Sequence, residues 1–389
     1  MWTDAHITRR DVGVHGDEFA ALEARCEAFV TEVATANIDE SDEAGSTRAY
    51  VRRLADADLL KYVAPGAHGG AHQRVRSTPL CLIRQWLARH SGALDTAFVM
   101  QGLGSNPVTI GGSDSLKAQL LPRVVRGEAI CAFALTEPEA GSDVAGMQTT
   151  ATPEGDGVRL HGEKCWISNA GIADSYVVFA RESQPREDGK PQFGAFWLPG
   201  DAPGLSVEPM KVIAPHPIGR VSFDGVHVPA AHRLGTFGKG LRIALANLDV
   251  FRVTVGAAAL GLADRALQET VAHLSTRVQF GKPLAKQQGL RFAVAEVATE
   301  HVAAQLLVYR AAAARDRDEA TPDMAGMAKY YATEAAQRVV DRAVQSLGGR
   351  GVTVGEVPER LYREVRALRI YEGTSEIQKL VIARSLFDG

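Results

Sequence analysis

The sequence predicts an α+β chain: an N-terminal helical domain, a middle β-barrel or β-sandwich domain and a C-terminal four-helix bundle. Three observations predict it. Residues 1–130 carry apolar side chains at three- and four-residue spacing. Residues 131–233 are short runs rich in Val, Phe, Trp and Thr, broken by Gly, Pro and Asp. From 234 to 389 the helical period returns in longer stretches.

Within the first part the helical pattern covers Glu18–Val33, Thr47–Leu60, Thr78–His90 and Leu116–Arg123, with a break around Pro65-Gly66 and Gly69-Gly70. In the middle part Met147–Thr152 and Val158–Gly162 flank Glu154-Gly155-Asp156-Gly157 as a hairpin. Further strands are predicted over Ser175–Arg181, Gln192–Leu198, Leu205–Pro209 and Arg220–Val228. The last part reads as helices over Arg252–Thr276, Gly289–Ala314, Met324–Leu347 and Ser375–Leu386. Gly348-Gly349 stops the third, and Ser375-Glu-Ile-Gln378 has the spacing of a capping box for the fourth.

Composition narrows the function. At 389 residues the chain can bury more than one core, and 43 Lys+Arg against 46 Asp+Glu leave a net charge of −3. That balance excludes the clustered basic charge that coats nucleic acid. Cys26, Cys81, Cys131 and Cys165 lie far apart without a CxxC pair, so reduced thiols are expected rather than a zinc site. The charged start MWTDAHITRRD lacks a signal-peptide core, and the longest apolar stretch, Val253–Ala263, is too short for a membrane span. A cytoplasmic protein is expected.

Several familiar catalytic patterns fail on inspection. Gly349-Arg-Gly351 lacks the third glycine of a dinucleotide fingerprint, and neither Gly281-Lys282 nor Gly238-Lys239 continues as a P-loop. His68 and His72 flank Gly69-Gly70 rather than lying on a helix, no metal site is read, and no G-x-S-x-G elbow occurs. Chemistry would then need a borrowed cofactor.

Four stretches stand out. Ala132–Asp143 enters as a strand and leaves through a turn rich in small hydroxyl and acidic residues, which would expose N–H groups and hydroxyls to a polar ligand. In Lys164–Ala170, Trp166 and Ser168 share one strand face, suited to a flat ring and its edge. Arg277–Leu284, with Gln287-Gln288, puts a cation at a helix end, where it suits a diphosphate or a simple helix stop. The fourth runs from Gln345–Gly351 to Arg369–Gln378 and places Glu372 before Gly373 in a loop, where a desolvated carboxylate can act as a general base. Each alone has an ordinary structural explanation.

Together, in this order, LTEPEAGSD, WISNA, QFGKP and IYEGTSEIQ resemble the acyl-CoA dehydrogenase family over nearly the whole chain. The resemblance implies domains over residues 1–130, 131–233 and 234–389, with FAD at their junction and touching a second subunit. It assigns Phe133, Leu135, Thr136, Gly141 and Ser142 to the flavin or the nearby thioester, and Trp166 and Ser168 to the ring. Arg277, Gln279, Phe280, Gln288, Gln345 and Gly349 become dinucleotide contacts, with Thr374 and Glu376 beside the diphosphate and ribose. Glu372 becomes the base that takes the α-proton of an acyl thioester while the flavin accepts the β-hydride. Some relatives carry the base just before an Arg, and here that position is Phe251, before Arg252.

Substrate contacts implied in the same way are Ser142, Leu94, Asp95, Phe98, Asp249, Arg252, Tyr371 and Gly373. Asp95 stands where relatives that take dicarboxylic acyl groups place an arginine, which argues against glutaryl-type substrates; an Asp95 facing solvent or a helix end is the other reading. The loop Ile213–Arg220 departs from the family pattern, which leaves a carrier-protein thioester as an alternative to CoA. A non-catalytic FAD-bound assembly protein is a further alternative. The implied partners are an electron-transferring flavoprotein and, as a homotetramer, further copies of this chain.

Overall fold

The computed structural model describes residues 17–36, 38–185 and 189–388. The charged start of the chain lies outside them. Helices α1 (Ala20–Thr35), α2 (Glu43–Asp56), α3 (Ser77–His90), α4 (Gly92–Gly111) and α5 (Asp114–Val125) come first. Strands β1 (Cys131–Ala134), β2 (Thr150–Glu154), β3 (Gly157–Ser168), β4 (Ser175–Glu182), β5 (Phe193–Pro199), β6 (Leu205–Pro209), β7 (Ile218–Pro229) and β8 (Arg233–Leu234) follow. Then come α6 (Gly240–Thr276), the short β9 (Val278–Gln279) and β10 (Lys282–Pro283), α7 (Gln288–Asp316), α8 (Pro322–Leu347), α9 (Val357–Leu368) and α10 (Ser375–Phe387). The α, β, α order expected from the sequence is the order observed.

Two helices were not called from the pattern. Helix α4 holds Gly92, Gly104, Gly111 and Pro107, which mask its periodicity, and α9 is short. The capping box falls one residue early: Thr374 is the N-cap, its Oγ1 accepting from the Ile377 N–H at 3.3 Å, while Ser375 Oγ donates to Glu334 Oε1 at 2.6 Å. Strand β2 begins at Thr150 rather than Met147 because the Glu137 carboxylate takes the N–H groups of Gln148 and Thr149, at 2.5 and 3.0 Å, before a ladder can use them.

The chain forms two compact units interleaved in sequence. One holds the described residues below 38, Arg76–Asp95 and Phe251 onward; the other holds 38–75 and Thr96–Val250.

The first unit is helical. Its core joins Ala88 of α3 to Val255, Ala258, Ala259 and Leu262 of α6, Val339 and Val340 of α8, and Leu361 and Val365 of α9. Small residues set the spacing: a Cβ on Gly261 would lie 2.2 Å from the Gln85 carbonyl, so α6 comes this close to α3 only because residue 261 is glycine. Helix α6 is long and apolar enough to cross a membrane by composition alone, but 78% of its most apolar window is buried, as in a core helix.

The second unit is built on one mixed sheet in the order β6-β7-β3-β2-β4-β5-β8, with β1 on β4. Both β1 and β2 run parallel to β4, while β5 is antiparallel to it. Tyr176 to Ala180 of β4 are all buried, as expected of a strand covered on both faces. All four cysteines are buried free thiols.

Candidate active site

Glu372 sits in the turn between α9 and α10. Its φ is +54° and that of Gly373 +89°, a left-handed pair that a non-glycine residue adopts at a cost of about 1–3 kcal/mol. Neighbouring side chains hold the turn. Lys329 Nζ of α8 donates to the Gly373 carbonyl at 2.5 Å, and Gln378 Nε2 donates to the same oxygen at 3.0 Å and to the Glu372 carbonyl at 3.4 Å. Arg369 and Ser375 both bond to Glu334, at 2.8 and 2.6 Å, closing the turn from either end.

Nothing holds the Glu372 carboxylate in the same way. Its Oε2 is shut away from solvent and has no hydrogen-bond partner among the described residues. Burial pushes its pKa above the usual carboxylate value, against the nearby positive charges of Arg84, Lys329 and Arg252, with Asp95 adding to the rise. Lys329, fully buried, is pulled down to about 8 by its own desolvation.

Arg84 of α3 lies in this group. It is 1% exposed and forks onto Asp95, with Nε and Nη2 donating at 2.8 and 2.6 Å, while Nη1 donates to Thr254 Oγ1 at 2.9 Å. Burial works against its charge, but Asp95 outweighs that and raises its pKa. Asp95 is therefore not solvent-facing; it is the buried partner of a guanidinium. Beside it Leu94 is fully buried, Arg252 is nearly so, and Phe251 is closed off at 1% exposure. Desolvation raises the Tyr371 phenol above its ordinary range, against the nearby charge of Arg84, although the residue as a whole is 40% exposed.

In the second unit the first signature forms a turn. Leu135 is buried, Phe133 and Thr136 are half-buried, and Gly141 and Ser142 are exposed. The turn is locked by Glu137, which accepts two backbone N–H groups and the Lys164 ammonium at 2.7 Å. Lys164 also donates to the Leu135 carbonyl at 3.0 Å. Trp166 is 49% exposed with φ +55°, where the register of β3 against β7 shifts between Lys164 and Ile167. Despite the bulge, Ile167 is buried between Trp166 and the half-buried Ser168, so these two share the open face as expected. Ser168 Oγ lies 3.0 Å from His216 Nε2, and His216 Nδ1 is 2.8 Å from the Ala214 carbonyl, which makes Nδ1 the protonated nitrogen of the neutral ring. Phe98 is fully buried and Asp249 exposed.

The QFGKP stretch forms the β9–β10 turn, where Phe280 is 93% exposed at φ +53°. Arg277, Gln279, Gln288, Gln345 and Gly349 are exposed, and a Cβ on Gly281, Gly289 or Gly349 would meet nothing within 4 Å. Glu376 is exposed in the first turn of α10. Arg84, Lys329, Lys164, Gln378 and His216 were missed as functional residues. The signal for Arg84 and Lys329 was a charge on the apolar face of a helix, between Leu80, Ile83 and Leu87 in one case and beside Ala328 and Ala332 in the other.

A carboxylate with one oxygen buried and unpartnered in a strained turn and an exposed tryptophan on a bulged strand suit a flavin-dependent dehydrogenase of acyl thioesters. The chain belongs to the acyl-CoA dehydrogenase family: the models for its N-terminal, middle and C-terminal domains match residues 16–128, 132–226 and 238–387. It is 35% identical to cyclohexane-1-carbonyl-CoA dehydrogenase of Geobacter metallireducens, over 91% of this chain and 92% of that protein. It is 36% identical to 3-(aryl)acrylate reductase of Clostridium sporogenes, over 90% and 93%. Butyryl-CoA dehydrogenase from Megasphaera elsdenii superposes with a TM-score of 0.88 at 31% identity, over 96% of this chain and 98% of that one.

FAD is the cofactor of this family. The residues present fit it. Trp166 offers an exposed aromatic face, Ser142 and Gly141 an open polar turn, and Arg277 with the open glycines a place for a diphosphate. The protein is an oxidoreductase acting on acyl-CoA.

Proposed function

We propose that this protein removes the α-proton of an acyl-CoA with Glu372 and yields the trans-2-enoyl thioester. The observation that carries the reading is the Glu372 carboxylate itself, desolvated and without a hydrogen bond at Oε2. A carboxylate with a raised pKa is a better match for a weakly acidic carbon than an exposed one. Its backbone N–H is the donor we assign to the thioester carbonyl, where enolate charge develops. Bound FAD supplies the acceptor for the β-hydride. Trp166, Ser168, Phe133, Leu135, Thr136, Gly141 and Ser142 line the flavin in this reading. Arg277, Gln279, Phe280, Gln288, Gln345, Gly349, Thr374 and Glu376 hold the dinucleotide, some of them that of a neighbouring copy in a homotetramer. Asp249, Arg252, Tyr371 and Gly373 face the substrate in this reading; Leu94 and Phe98, with no exposed surface, and Asp95, with both oxygens on Arg84, do not. An electron-transferring flavoprotein reoxidises the flavin.

Similarity to proteins named for cyclohexane-1-carbonyl, butyryl and glutaryl thioesters leaves the acyl group open. Asp95 offers no cation to a second carboxylate, and the nearby Arg84 is already forked onto Asp95, so glutaryl-CoA is expected to be a poor substrate. The test is anaerobic titration of the flavin-loaded protein with straight, branched, cyclic and dicarboxylic acyl-CoAs and one acyl-carrier-protein thioester. Bleaching by neutral acyl-CoAs supports the reading. Bleaching only by the carrier thioester moves the substrate class, and no bleaching by any thioester overturns it.

A further inference from the structure

The loop joining β6 to β7 carries a histidine that lies in none of the four signature stretches, and the fold sets it against a residue that does. We infer that His216 is a positioning residue for Ser168: its Nε2 takes the serine's hydrogen bond, so that Ser168 Oγ meets the flavin as an acceptor. The inference rests on the proposed place of Ser168 beside the flavin.

Backbone bonds bring the two residues together. Ser168, at the end of β3, pairs with Ile218 at the start of β7. The Asn169 N–H then donates to the Pro217 carbonyl at 2.7 Å. His216 lies just before this anchor, between Pro215 and Pro217. Each proline fixes its own φ at about −65° and keeps the residue before it extended. The imidazole is held at both nitrogens, with Nδ1 2.8 Å from the Ala214 carbonyl and Nε2 3.0 Å from Ser168 Oγ.

These partners decide where the protons lie. A carbonyl oxygen only accepts, so Nδ1 carries the ring's proton. Burial holds the ring's pKa below the usual imidazole value and keeps it neutral at pH 7. Glu43 of α2, the charged group acting on it, is itself bonded by Lys211 Nζ at 2.7 Å. Nε2 is then a bare acceptor, and the Ser168 hydroxyl must donate to it. The serine has one proton, so only its lone pairs remain for the flavin. The flavin nitrogen that takes a hydride is an acceptor when oxidised and an N–H donor when reduced. An acceptor beside the ring therefore favours reduced over oxidised flavin and raises the potential of bound FAD.

The test is the midpoint potential of the FAD-loaded protein, measured anaerobically without substrate against a redox dye. His216→Asn keeps an amide near the Ala214 carbonyl but is too short for Ser168, whose hydroxyl can then turn its proton to the flavin. The preference for reduced over oxidised flavin is expected to fall about tenfold, which lowers the potential by about 30 mV. Ser168→Ala is expected to lower it too. In the Ser168→Ala background, His216→Asn is expected to change nothing further, because it acts through the serine. A His216→Asn protein at the parent potential overturns the inference, as does an equal drop in the Ser168→Ala background. If His216→Asn does not take up FAD, histidine ¹⁵N NMR of the loaded parent decides. The ring whose signals shift in Ser168→Ala is expected to show a bare Nε2, and a protonated Nε2 overturns the inference. An unmoved potential in Ser168→Ala would take Ser168 away from the flavin and the role of His216 with it. A shift in Ser168→Ala but none in His216→Asn would refute the role of His216 alone.

Discussion

Glu137 and Glu372 are both glutamates of signature stretches, the first buried and the second half-buried with its Oε2 shut from water, and they shift in opposite directions. Glu137 accepts from two backbone N–H groups and a buried ammonium; burial alone would raise its pKa, but those bonds outweigh it and the net shift is downward. Glu372 has positive charges nearby but no hydrogen bond at Oε2, and burial wins. The difference lies in what the neighbouring donors bind. Around Glu137 they bind the carboxylate, making it part of the scaffold. Around Glu372, Lys329 and Gln378 bind the Gly373 carbonyl instead, so the backbone is fixed and the carboxylate is left for a substrate. Similar parts thus build a structural anchor in one turn and a base in the other.

Exchanging each acid for its amide gives the largest contrast. Glu372→Gln is expected to slow flavin reduction by about 10²–10⁴-fold with little loss of stability. A carboxyl with a raised folded pKa binds its proton more tightly in the folded state. Stability in the parent should therefore fall as pH rises from 4.5 through the raised value, and the amide should abolish that slope. Glu137→Gln is expected to do the reverse, costing about 3–5 kcal/mol by leaving the Lys164 ammonium buried without a counter-ion. Its contribution in the parent is complete above 4.5 and disappears as pH falls through the lowered folded value. Denaturant melts across pH beside anaerobic reduction rates separate the two. A stability loss in Glu372→Gln as large as in Glu137→Gln would erase the distinction.

The two lysines sharpen it. Burial lowers both to about 8, so each is mostly charged at neutral pH. Lys164→Met removes the counter-ion of Glu137 and is expected to destabilise the protein by about 3 kcal/mol. In Lys329→Met the Gly373 carbonyl keeps Gln378 as a donor, so the expected loss is smaller. Because Lys329 lowers the Glu372 pKa, its removal should move the acid limb of the rate upward by about one pH unit. A downward move would mean the ammonium does not act on the base.

How much of this could be read from the sequence depends on range. The order of elements and the placement of Glu372 in a turn follow from local pattern, and Trp166 and Ser168 share a face because burial alternates from Cys165 to Ser168. The left-handed backbone at Trp166, Phe280 and Glu372 was not legible, since none of these residues favours φ near +55° by itself. Nor was the pairing of Arg84 with Asp95 or of Lys329 with Gly373, because contacts 11 and 44 residues apart depend on helix packing rather than spacing. For Asp95 the sequence left burial and exposure open, and the partner that decides between them is a lone arginine on an apolar face of α3.

The smallest expected effect tests whether the Glu372 turn is held from α8 or from its own helix. Thr374 caps α10 through a 3.3 Å bond to the Ile377 N–H, and such caps are worth about 1 kcal/mol. Thr374→Ala should cost about that much in a thermal melt, and Thr374→Ser should restore it. The left-handed pair at Glu372 and Gly373 is held by Lys329 and Gln378 through carbonyls that the cap does not touch. The pH of the acid limb should therefore stay where it is in Thr374→Ala while it moves in Lys329→Met. A shift of the limb in Thr374→Ala comparable to that in Lys329→Met would assign the geometry of the base to the helix start and not to the ammonium behind it.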